Sequence, residues 1–259
     1  MTDLVLSTRG INVKFGGLVA VESVSIDIPH GKIVGLIGPN GAGKTTFVDA
    51  VCGFVPADGT VEVAGRDVSS LKPHGRCRAG LGRTWQASEL FNDLSVAENL
   101  AISASRLSVR SVLRDLVRRQ APFGPDVHRV LSLLGIENLA DSTPSELSEG
   151  QRKLVGIARA FAGRPVVVCL DEPAAGLDTH ESTALAQQLR HLGADGTSLL
   201  LIDHDMSFVF GLCDHVIVME YGRVIAEGRP DEVRNDPQVI AAYLGTTVQD
   251  RASTQNELS

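Results

Sequence analysis

The stretch that decides the fold is "GPNGAGKTT" at residues 38–46. It follows the apolar run "KIVGLIG" (32–38), which predicts a buried strand, and it leads into "KTTFVDAVCG" (44–53), which predicts a helix with Gly53 at its carboxyl end. A strand, a glycine-rich loop and a helix that opens on Lys-Thr are the context in which this pattern binds phosphate. A glycine-rich turn without a ligand is the plainer alternative, and the Lys-Thr pair argues against it.

The residue types of this loop suit a nucleotide. Gly38, Gly41 and Gly43 allow backbone N–H groups to turn inward around phosphate oxygens, and the helix start adds a partial positive charge. Lys44 is expected to reach the β- and γ-phosphates, and Thr45 to ligate Mg²⁺. The loop therefore predicts a site for ATP and Mg²⁺. The predicted nucleotide-binding set includes the other residues of the loop: Pro39, Asn40, Ala42 and Thr46.

An acidic pair closes a second apolar run, "VVVCLDEP" at 166–173. Asp171 is expected to lie near the Mg²⁺, through water or Thr45, and Glu172 to polarise the water that attacks the γ-phosphate. His204 follows the run "SLLLID" (198–203), and strand ends of an α/β sheet gather at the ligand crevice. We therefore expect His204 to hold the γ-phosphate or the attacking water. Two acids alone would cap a strand at the surface, and a lone histidine after a strand is usually structural. The phosphate loop favours the catalytic interpretation of all three residues.

The surrounding pattern predicts the architecture. The continuous apolar runs at 165–171 and 198–203 suit parallel strands covered on both faces, and a helical stretch at 180–193 connects them. Residues 4–28 alternate in polarity and predict an antiparallel strand group, whereas about 87–164 has helix-like segments. The predicted fold class is α/β: a P-loop NTPase (RecA-like) core with an antiparallel β subdomain and an inserted α-helical subdomain.

The predicted domain organisation is a single ATPase domain over 1–245. Its core and β subdomain comprise 1–86 and 165–245, and its helical subdomain comprises 87–164. The polar stretch 246–259 lacks periodicity and predicts a disordered tail, and we find no internal repeat.

Composition narrows the class of protein. The 259 residues are 43% hydrophobic, but no apolar run reaches the roughly 20 residues that cross a bilayer. The start "MTDLVLSTRG" lacks a signal pattern, so we expect a cytosolic chain. The net charge of −7 argues against broad nucleic-acid binding. Widely spaced cysteines predict reduced thiols rather than a zinc site: Cys52, Cys77, Cys169 and Cys213.

Four further motifs occur in order around the phosphate loop: "RTWQ" with Gln86, "LSEGQ" (147–151), "CLDEP" and "IDHDM". In this combination, residues 4–245 resemble the nucleotide-binding subunit of an ATP-binding cassette (ABC) transporter. Within that family the chain is similar to the LivG-type ATPases of branched-chain amino-acid importers, on four stretches: "FGGLVAVESVS" (15–25), "RTWQASELFNDLSVAENL" (83–100), "DEPAAGLD" (171–178) and "RPDEVRNDPQVIAAYLG" (229–245). Lipopolysaccharide-export ATPases share part of this pattern and are the nearest alternative.

The resemblance implies further roles. Phe15 would stack on the adenine, and Gln86 would sense Mg²⁺ and the attacking water, as a catalytic residue and a metal ligand. Asp178 would lie at a dimer seam. Ser148 and Gly150 would bind the γ-phosphate held by a second subunit, and Gln151 belongs to the same nucleotide-binding set.

The implied partners follow from this arrangement. Each ATP would lie between the phosphate loop of one chain and the "LSEGQ" of another, so a second ATPase subunit, identical or paralogous, is required. Membrane permease subunits would convert closure of the dimer into import of small solutes such as branched-chain amino acids. The chain would be peripheral on the cytoplasmic face of the membrane and would bind no nucleic acid.

The "LSEGQ" segment also has a local interpretation. Ser148 and Gln151 form a capping-box pattern at a helix start, followed by a predicted buried stripe of Leu154, Ile157, Ala158 and Phe161. Glu149 departs from the family, which commonly has glycine there. Because a carboxylate would repel a γ-phosphate, we expect the Glu149 side chain to face away from it.

Other classes remain as alternatives. A soluble ABC protein acting on ribosomes or DNA usually carries two cassettes or long heptad insertions, and a small-molecule P-loop kinase would have no use for "LSEGQ". The arginines of "RLSVRSVLRDLVRRQ" (106–120) recur every four residues from 106 to 118 and predict one basic helix face. This face is a solvated surface or a contact with anionic lipid headgroups.

Overall fold

The computed structural model describes residues 3–84, 90–104 and 123–243. Its strands are β1 (Leu4–Phe15), β2 (Leu18–Val24), β3 (Asp27–Pro29), β4 (Ile33–Ile37), β5 (Asp58–Val63), β6 (Arg66–Asp67), β7 (Leu81–Arg83), β8 (Val167–Asp171), β9 (Ser198–Ile202), β10 (His215–Glu220) and β11 (Arg223–Gly228). Its helices include α1 (Lys44–Cys52), α2 (Pro73–Arg78), α3 (Val96–Ala104), α4 (Pro125–Leu134), α5 (Glu149–Ala162), α6 (Thr179–Ala194), α7 (Met206–Leu212) and α8 (Pro230–Arg234). Two 3-10 turns lie at Glu137–Leu139 and Pro144–Glu146, and a further helical segment covers 237–243.

The larger sheet has six strands in the order β11-β10-β4-β9-β8-β7. All neighbouring pairs are parallel except β10 with β11, which are antiparallel. The strands predicted at 32–38, 165–171 and 198–203 are confirmed as β4, β8 and β9, and these three lie side by side. Their carboxyl ends therefore open on one edge of the sheet, where the loops that carry the polar motifs meet.

The smaller sheet is antiparallel, in the order β2-β1-β5-β6, with β3 also paired to β1. The antiparallel group predicted within residues 4–28 is confirmed as β1, β2 and β3. The strands β5 and β6 were not predicted. The β5 segment "DGTVEV" has only two apolar residues, and β6 is only two residues long, so both carry a weak strand signal.

The core forms two apolar clusters on opposite faces of the larger sheet. Successive side chains of a strand point to opposite faces, so Val167 and Cys169 of β8 join the cluster around α1 and the smaller sheet. Val168 and Leu170 join the other cluster, with α3, α4, α5 and α6. Burial on both faces explains why these strands are continuous apolar runs.

Three helices, α3, α4 and α5, lie in the stretch predicted to be helical and pack against one another. The domain boundaries at 87 and 164 stay a prediction. The arginines from 106 to 118 and the tail 246–259 lie outside the described residues. Among the described residues, no helix combines the length and apolar character that spanning a bilayer requires.

Candidate functional site

The glycine-rich loop joins the end of β4 to the start of α1. Gly38 has a φ of 150°, and a Cβ added there would lie 2.0 Å from the carbonyl oxygen of Met219 in β10. Gly43 is the N-cap of α1 with a φ of 94°, and a Cβ there would lie 2.4 Å from the carbonyl oxygen of Ala20. No side chain caps α1 and its first turn has no acid, so its N–H groups and dipole favour an anion.

Lys44, the first residue of α1, folds back along this loop. Its Nζ donates hydrogen bonds to the carbonyl oxygens of Gly38 at 2.7 Å and Pro39 at 2.9 Å. Burial lowers the pKa of Lys44, and the negative charges of Glu172 and Asp171 oppose that shift. The chain thus places a cation between the glycine loop and the acidic end of β8.

The acidic pair lies where β8 ends. Asp171 is 8% exposed; burial raises the pKa of its carboxyl group, and the charge of Arg83 opposes that rise. Glu172 has a φ of 47°, in the left-handed region, and its N–H donates to the carbonyl oxygen of Ile202 at 2.8 Å. Non-glycine residues are rare in this region and concentrate at functional sites, so the sharp turn at Glu172 is itself a functional indicator.

His204 comes from the neighbouring strand end and meets this pair. Its Nδ1 lies 3.8 Å from Oε1 of Glu172 and 3.7 Å from Oδ1 of Asp203, both beyond hydrogen-bond length. The imidazole is 65% exposed. The structure therefore brings Lys44, Asp171, Glu172 and His204 to one edge of the sheet, with the histidine open to a ligand.

Asp203 is a residue of this site to which the sequence analysis gave no role. Its side chain is fully buried, and its carboxylate accepts hydrogen bonds from the N–H groups of Ala174 at 3.2 Å and Asp205 at 3.0 Å. These two hydrogen bonds hold together the segment that follows Glu172 and the segment that follows His204. The signal was present, since Asp203 ends an apolar strand in the same way as Asp171.

The helix mouth at 148–151 has the predicted capping box. The Ser148 hydroxyl accepts from the Gln151 N–H at 3.2 Å, and Oε1 of Gln151 accepts from the Ser148 N–H at 2.9 Å. Gly150 faces α6, because a Cβ there would lie 3.0 Å from Oε1 of Glu181. The carboxylate of Glu149 lies towards the turn at Gly176. Its orientation relative to a phosphate stays a prediction.

The buried stripe predicted for this helix needs a correction. Ile157, Ala158 and Phe161 are buried as predicted, but Leu154 is only half-buried and Val155 is buried in its place. The helix packs against α3 and α4 as well as the sheet, so its buried arc is broader than a single stripe.

Asp178 caps the next helix, α6. Its Oδ1 accepts from the Glu181 N–H at 2.8 Å, and Oε2 of Glu181 accepts from the Asp178 N–H at 3.1 Å. Phe15 ends β1 and is 52% exposed, so its ring is open for stacking. Thr45 is exposed and Thr46 half-buried in the first turn of α1, whereas Gln86 lies outside the described residues.

Tyr243 is a second residue that the sequence analysis missed. It belongs to a helical segment over 237–243 and packs against the helix-side cluster. The backbone of Gly38 hydrogen-bonds its hydroxyl, while burial raises the pKa of Tyr243 to about 12. This contact joins the first glycine of the loop to a segment some 200 residues further along the chain.

The donor set fits Mg²⁺ in one particular way. In the described part of the chain, no three His, Cys, Asp or Glu side chains are grouped closely enough to bind a metal by themselves. Thr45 and Asp171 offer oxygen ligands, and Mg²⁺ is usually held by one or two carboxylates together with substrate phosphates and waters. The site therefore suits a magnesium ion that arrives with a phosphorylated ligand.

A glycine loop and its lysine facing a strand-end acid pair, on this parallel sheet, define the class of P-loop ATPases. Within this class, residues 21–175 match the sequence model described as "ABC transporter". The chain belongs to the ABC transporter family and is an ATP-binding, ATP-hydrolysing subunit of it. Residues 223–248 also match a model described as "Branched-chain amino acid ATP-binding cassette transporter".

Individual proteins agree with this assignment. The chain is 36% identical over 253 residues to the high-affinity branched-chain amino acid transport ATP-binding protein LivG of Salmonella typhimurium, covering 95% of this chain and 99% of LivG. It is 36% identical over 241 residues to the lipopolysaccharide export system ATP-binding protein LptB of Escherichia coli, covering 93% and 97%. The solved ADP conformation of an ABC-transporter cassette superposes with a TM-score of 0.80 at 32% identity, covering 93% of this chain and 99% of that one. The predicted family and fold class are therefore confirmed.

Proposed function

We propose that this chain binds ATP with Mg²⁺ at the glycine loop, hydrolyses it at Glu172, and drives the import of branched-chain amino acids as one of two ATPase subunits. The observation that carries the proposal is the convergence of Lys44, Asp171, Glu172 and His204 at one sheet edge. Phosphoryl transfer to water is served by a cation facing the loop, a buried carboxylate and a partly exposed base next to a histidine.

Each group has a distinct task in binding. The N–H groups of the loop and the Lys44 ammonium bind the β- and γ-phosphates, and the exposed ring of Phe15 stacks on the adenine. Thr45 and Asp171, with Gln86 by resemblance, hold Mg²⁺, which when bound neutralises charge on those phosphates. The other loop residues supply the close backbone approach: Gly38, Pro39, Asn40, Gly41, Ala42, Gly43 and Thr46.

Hydrolysis needs a proton acceptor near the γ-phosphate. The Glu172 carboxylate accepts a proton from water as the water oxygen attacks the γ-phosphorus, and the bond to the ADP oxygen breaks. His204, 3.8 Å from Glu172, hydrogen-bonds the γ-phosphate or the attacking water. The Asp203 carboxylate supports both residues, because it accepts hydrogen bonds from the N–H groups of Ala174 and Asp205, which lie just after them in the chain.

A second ATPase subunit completes the site. Ser148, Gly150 and Gln151 lie at the partly exposed mouth of α5, whose N–H groups and dipole suit the γ-phosphate held by another chain. Asp178 is exposed at the mouth of α6 nearby and lies at the seam between the two chains. ATP closes this dimer, and hydrolysis lets it open.

A cavity of 610 Å³ between α5 and β7 supports docking of a permease. The Arg159 guanidinium lies 5.2 Å from the ring centroid of Phe91 on its wall. The buried Asn99 side chain donates to the carbonyl oxygens of Phe91, Leu94 and Ser95, which fixes the segment 91–95. This wall, with its aromatic ring and its cation, offers a rigid surface to a loop of the permease. Binding to the permease would hold this chain at the cytoplasmic face of the membrane.

The transported substrate is inferred from relatives. LivG and LptB share the same 36% identity with this chain, so the cassette alone does not separate import from lipopolysaccharide export. The match of 223–248 to the branched-chain amino acid model favours import. Co-purification with two permease subunits and ATP-dependent leucine uptake in vesicles would support it. Co-purification with no polytopic membrane protein would favour a soluble ABC ATPase instead.

The hydrolytic role is tested by Glu172→Gln, which keeps the shape of the side chain and removes the proton acceptor. We expect steady-state phosphate release to fall by about 10²–10⁴-fold while MgATP binding is retained. Gel filtration with MgATP should then show an accumulated dimer. The exposed Glu137→Gln serves as the matched control and should hydrolyse ATP normally. Normal turnover by Glu172→Gln would remove Glu172 from the role of base.

A further inference from the structure

Arg83 is a nearly buried cation to which the functional assignment so far gives no task. It ends β7, the edge strand beside β8, and its side chain is 7% exposed. The guanidinium forms an ion pair with Asp49 and a second contact, 3.4 Å from Nη2 to Oδ2, with Asp171. Its Cζ also lies 5.7 Å from the ring centroid of Phe54.

These contacts join the two elements that carry the proposed magnesium ligands. Asp49 lies four residues after Thr45 on α1, so the two side chains share one face of the helix. Asp171 ends β8 across from this face. A single guanidinium therefore spans from the helix that presents Thr45 to the strand that presents Asp171.

Thr84, which follows Arg83, holds the backbone of the strand that presents this carboxylate. The Thr84 hydroxyl accepts from the Asp171 N–H at 3.2 Å, and the Thr84 N–H donates to the carbonyl oxygen of Cys169 at 2.9 Å. The end of β8 is thus fixed by two successive residues of the β7 strand and its continuation.

We propose that Arg83 is a positioning residue that holds the Asp171 carboxylate at a fixed distance from Thr45, so that both oxygens meet the metal of bound MgATP. A partly exposed carboxylate, Asp49, and a nearly buried one, Asp171, share this cation, so they need a donor that can reach both. The planar fork of arginine does this, whereas the point charge of lysine does not. The proposal rests on the proposed function, because it presumes a metal–nucleotide complex at this site.

The test uses the full chain with Mn²⁺ as the metal probe and a non-hydrolysable ATP analogue. We expect Arg83→Gln to weaken Mn²⁺ binding, measured by electron paramagnetic resonance, by about 10- to 100-fold, as for other residues that orient a metal ligand. Analogue binding in EDTA should change less than about threefold, because the loop and Lys44 do not depend on Arg83. A merely structural role would weaken both in parallel, and that outcome would overturn the proposal.

Two more variants keep the test decisive. Arg83→Lys retains the charge without the fork and should recover part of the Mn²⁺ affinity, and Asp49→Asn should weaken it less than Arg83→Gln. The double variant should equal Arg83→Gln alone, because Asp49 acts through Arg83. If Arg83→Gln loses its cooperative thermal unfolding, the two milder variants carry the test, and wild-type Mn²⁺ affinity in both would overturn the proposal.

Arg9→Gln is the matched control, since Arg9 forms an exposed ion pair with Asp27 in the smaller sheet and should leave Mn²⁺ binding unchanged. The same assay separates the two claims. A wild-type chain that binds neither analogue nor metal would overturn the proposed function. A wild-type chain that binds both, alongside Arg83 variants that bind them equally well, would overturn only the role of Arg83.

Discussion

Two helices of this protein begin at places suited to an anion, and they are built in opposite ways. The start of α1 has a glycine N-cap, no side-chain cap and no acid in its first turn, and Lys44 supplies a cation there. The start of α5 is capped by Ser148, with Gln151 bonding back, and Glu149 lies in its first turn. The first mouth leaves its N–H groups available, whereas the second satisfies part of them by itself.

The difference indicates what each mouth needs before a ligand arrives. The α1 mouth is surrounded by its own catalytic groups, so ATP can bind there within one chain. The α5 mouth is a stable helix start without a ligand, so it can remain exposed until another chain brings its phosphate. Substitutions at the two mouths should therefore separate ATP binding from the steps that need two chains.

The largest effect is expected at the α1 mouth, from Lys44→Ala. The phosphates lose a charge-assisted partner in a partly buried site, which costs about 2–5 kcal/mol, or a fall in MgATP affinity of roughly thirtyfold or more. Equilibrium binding of a fluorescent ATP analogue measures this. Lys32→Ala, which removes an exposed ion pair with Asp214, is the control and should bind normally. An unchanged MgATP affinity in Lys44→Ala would contradict the assignment of ATP binding to the start of α1.

The next effect is conformational and also belongs to the α1 mouth. Gly38→Ala combines a positive φ with a Cβ 2.0 Å from the Met219 carbonyl oxygen, and we expect a loss of about 2–5 kcal/mol in unfolding free energy. Gly41→Ala has a φ of 80° but no atom within 4 Å, so it should lose only about 1–2 kcal/mol. Urea denaturation of the two variants tests the order, and equal losses would show that the contact with β10 is unimportant.

A smaller effect is expected at the α5 mouth, from Ser148→Ala. The lost cap costs about 1 kcal/mol, which lowers Tm by about 2–4 °C in a protein of this size. ATP affinity of the isolated chain should stay within about twofold, whereas ATPase activity of the dimer should fall. Thr143→Ala breaks a similar capping box at the preceding 3-10 turn and should reproduce the Tm change without the loss of activity. Loss of ATP affinity in Ser148→Ala would contradict the division between the mouths.

The smallest effect is expected from Glu149→Gly, also at the α5 mouth. Its carboxylate lies towards Gly176, so removing it should change the apparent ATP affinity of the dimer by less than about threefold. The free energy of unfolding should fall by about 0.5–1 kcal/mol, because glycine is a poor helix former and the favourable interaction of the carboxylate with the helix dipole disappears. Titration of ATPase activity with ATP measures the first quantity. A manyfold gain in affinity would place the carboxylate against the phosphate.

The strands and the loop that were predicted correctly are encoded by continuous patterns of residues in the sequence. The strands β4, β8 and β9 are long apolar runs, and the phosphate loop has fixed spacing, so fold class and family followed from local signals. Arg83 and Tyr243 were missed because their importance lies in partners far along the chain, whereas Asp203 carried a local signal at the end of its strand. Arg83 meets Asp49 and Asp171 at separations of 34 and 88 residues, which no local pattern encodes.

The same limit explains the error at Leu154. A single helical stripe assumes one packing partner, and the structure gives α5 partners on more than one side. The buried position therefore moved to Val155, which faces the cluster with Ala158 and Ala162. Which face a helix buries depends on its neighbours, and the sequence pattern of one helix does not contain them.

The bond between Tyr243 and Gly38 has a consequence for the synthesis of the chain. The ribosome adds Gly38 to the chain 205 residues before its partner Tyr243. At about 5–20 residues per second, the phosphate loop waits roughly 10–40 s on the ribosome before this contact can form. A chain cut short before residue 243 would carry every nucleotide motif and still lack this support. The fold thereby makes full assembly of its ATP site depend on translation beyond residue 243.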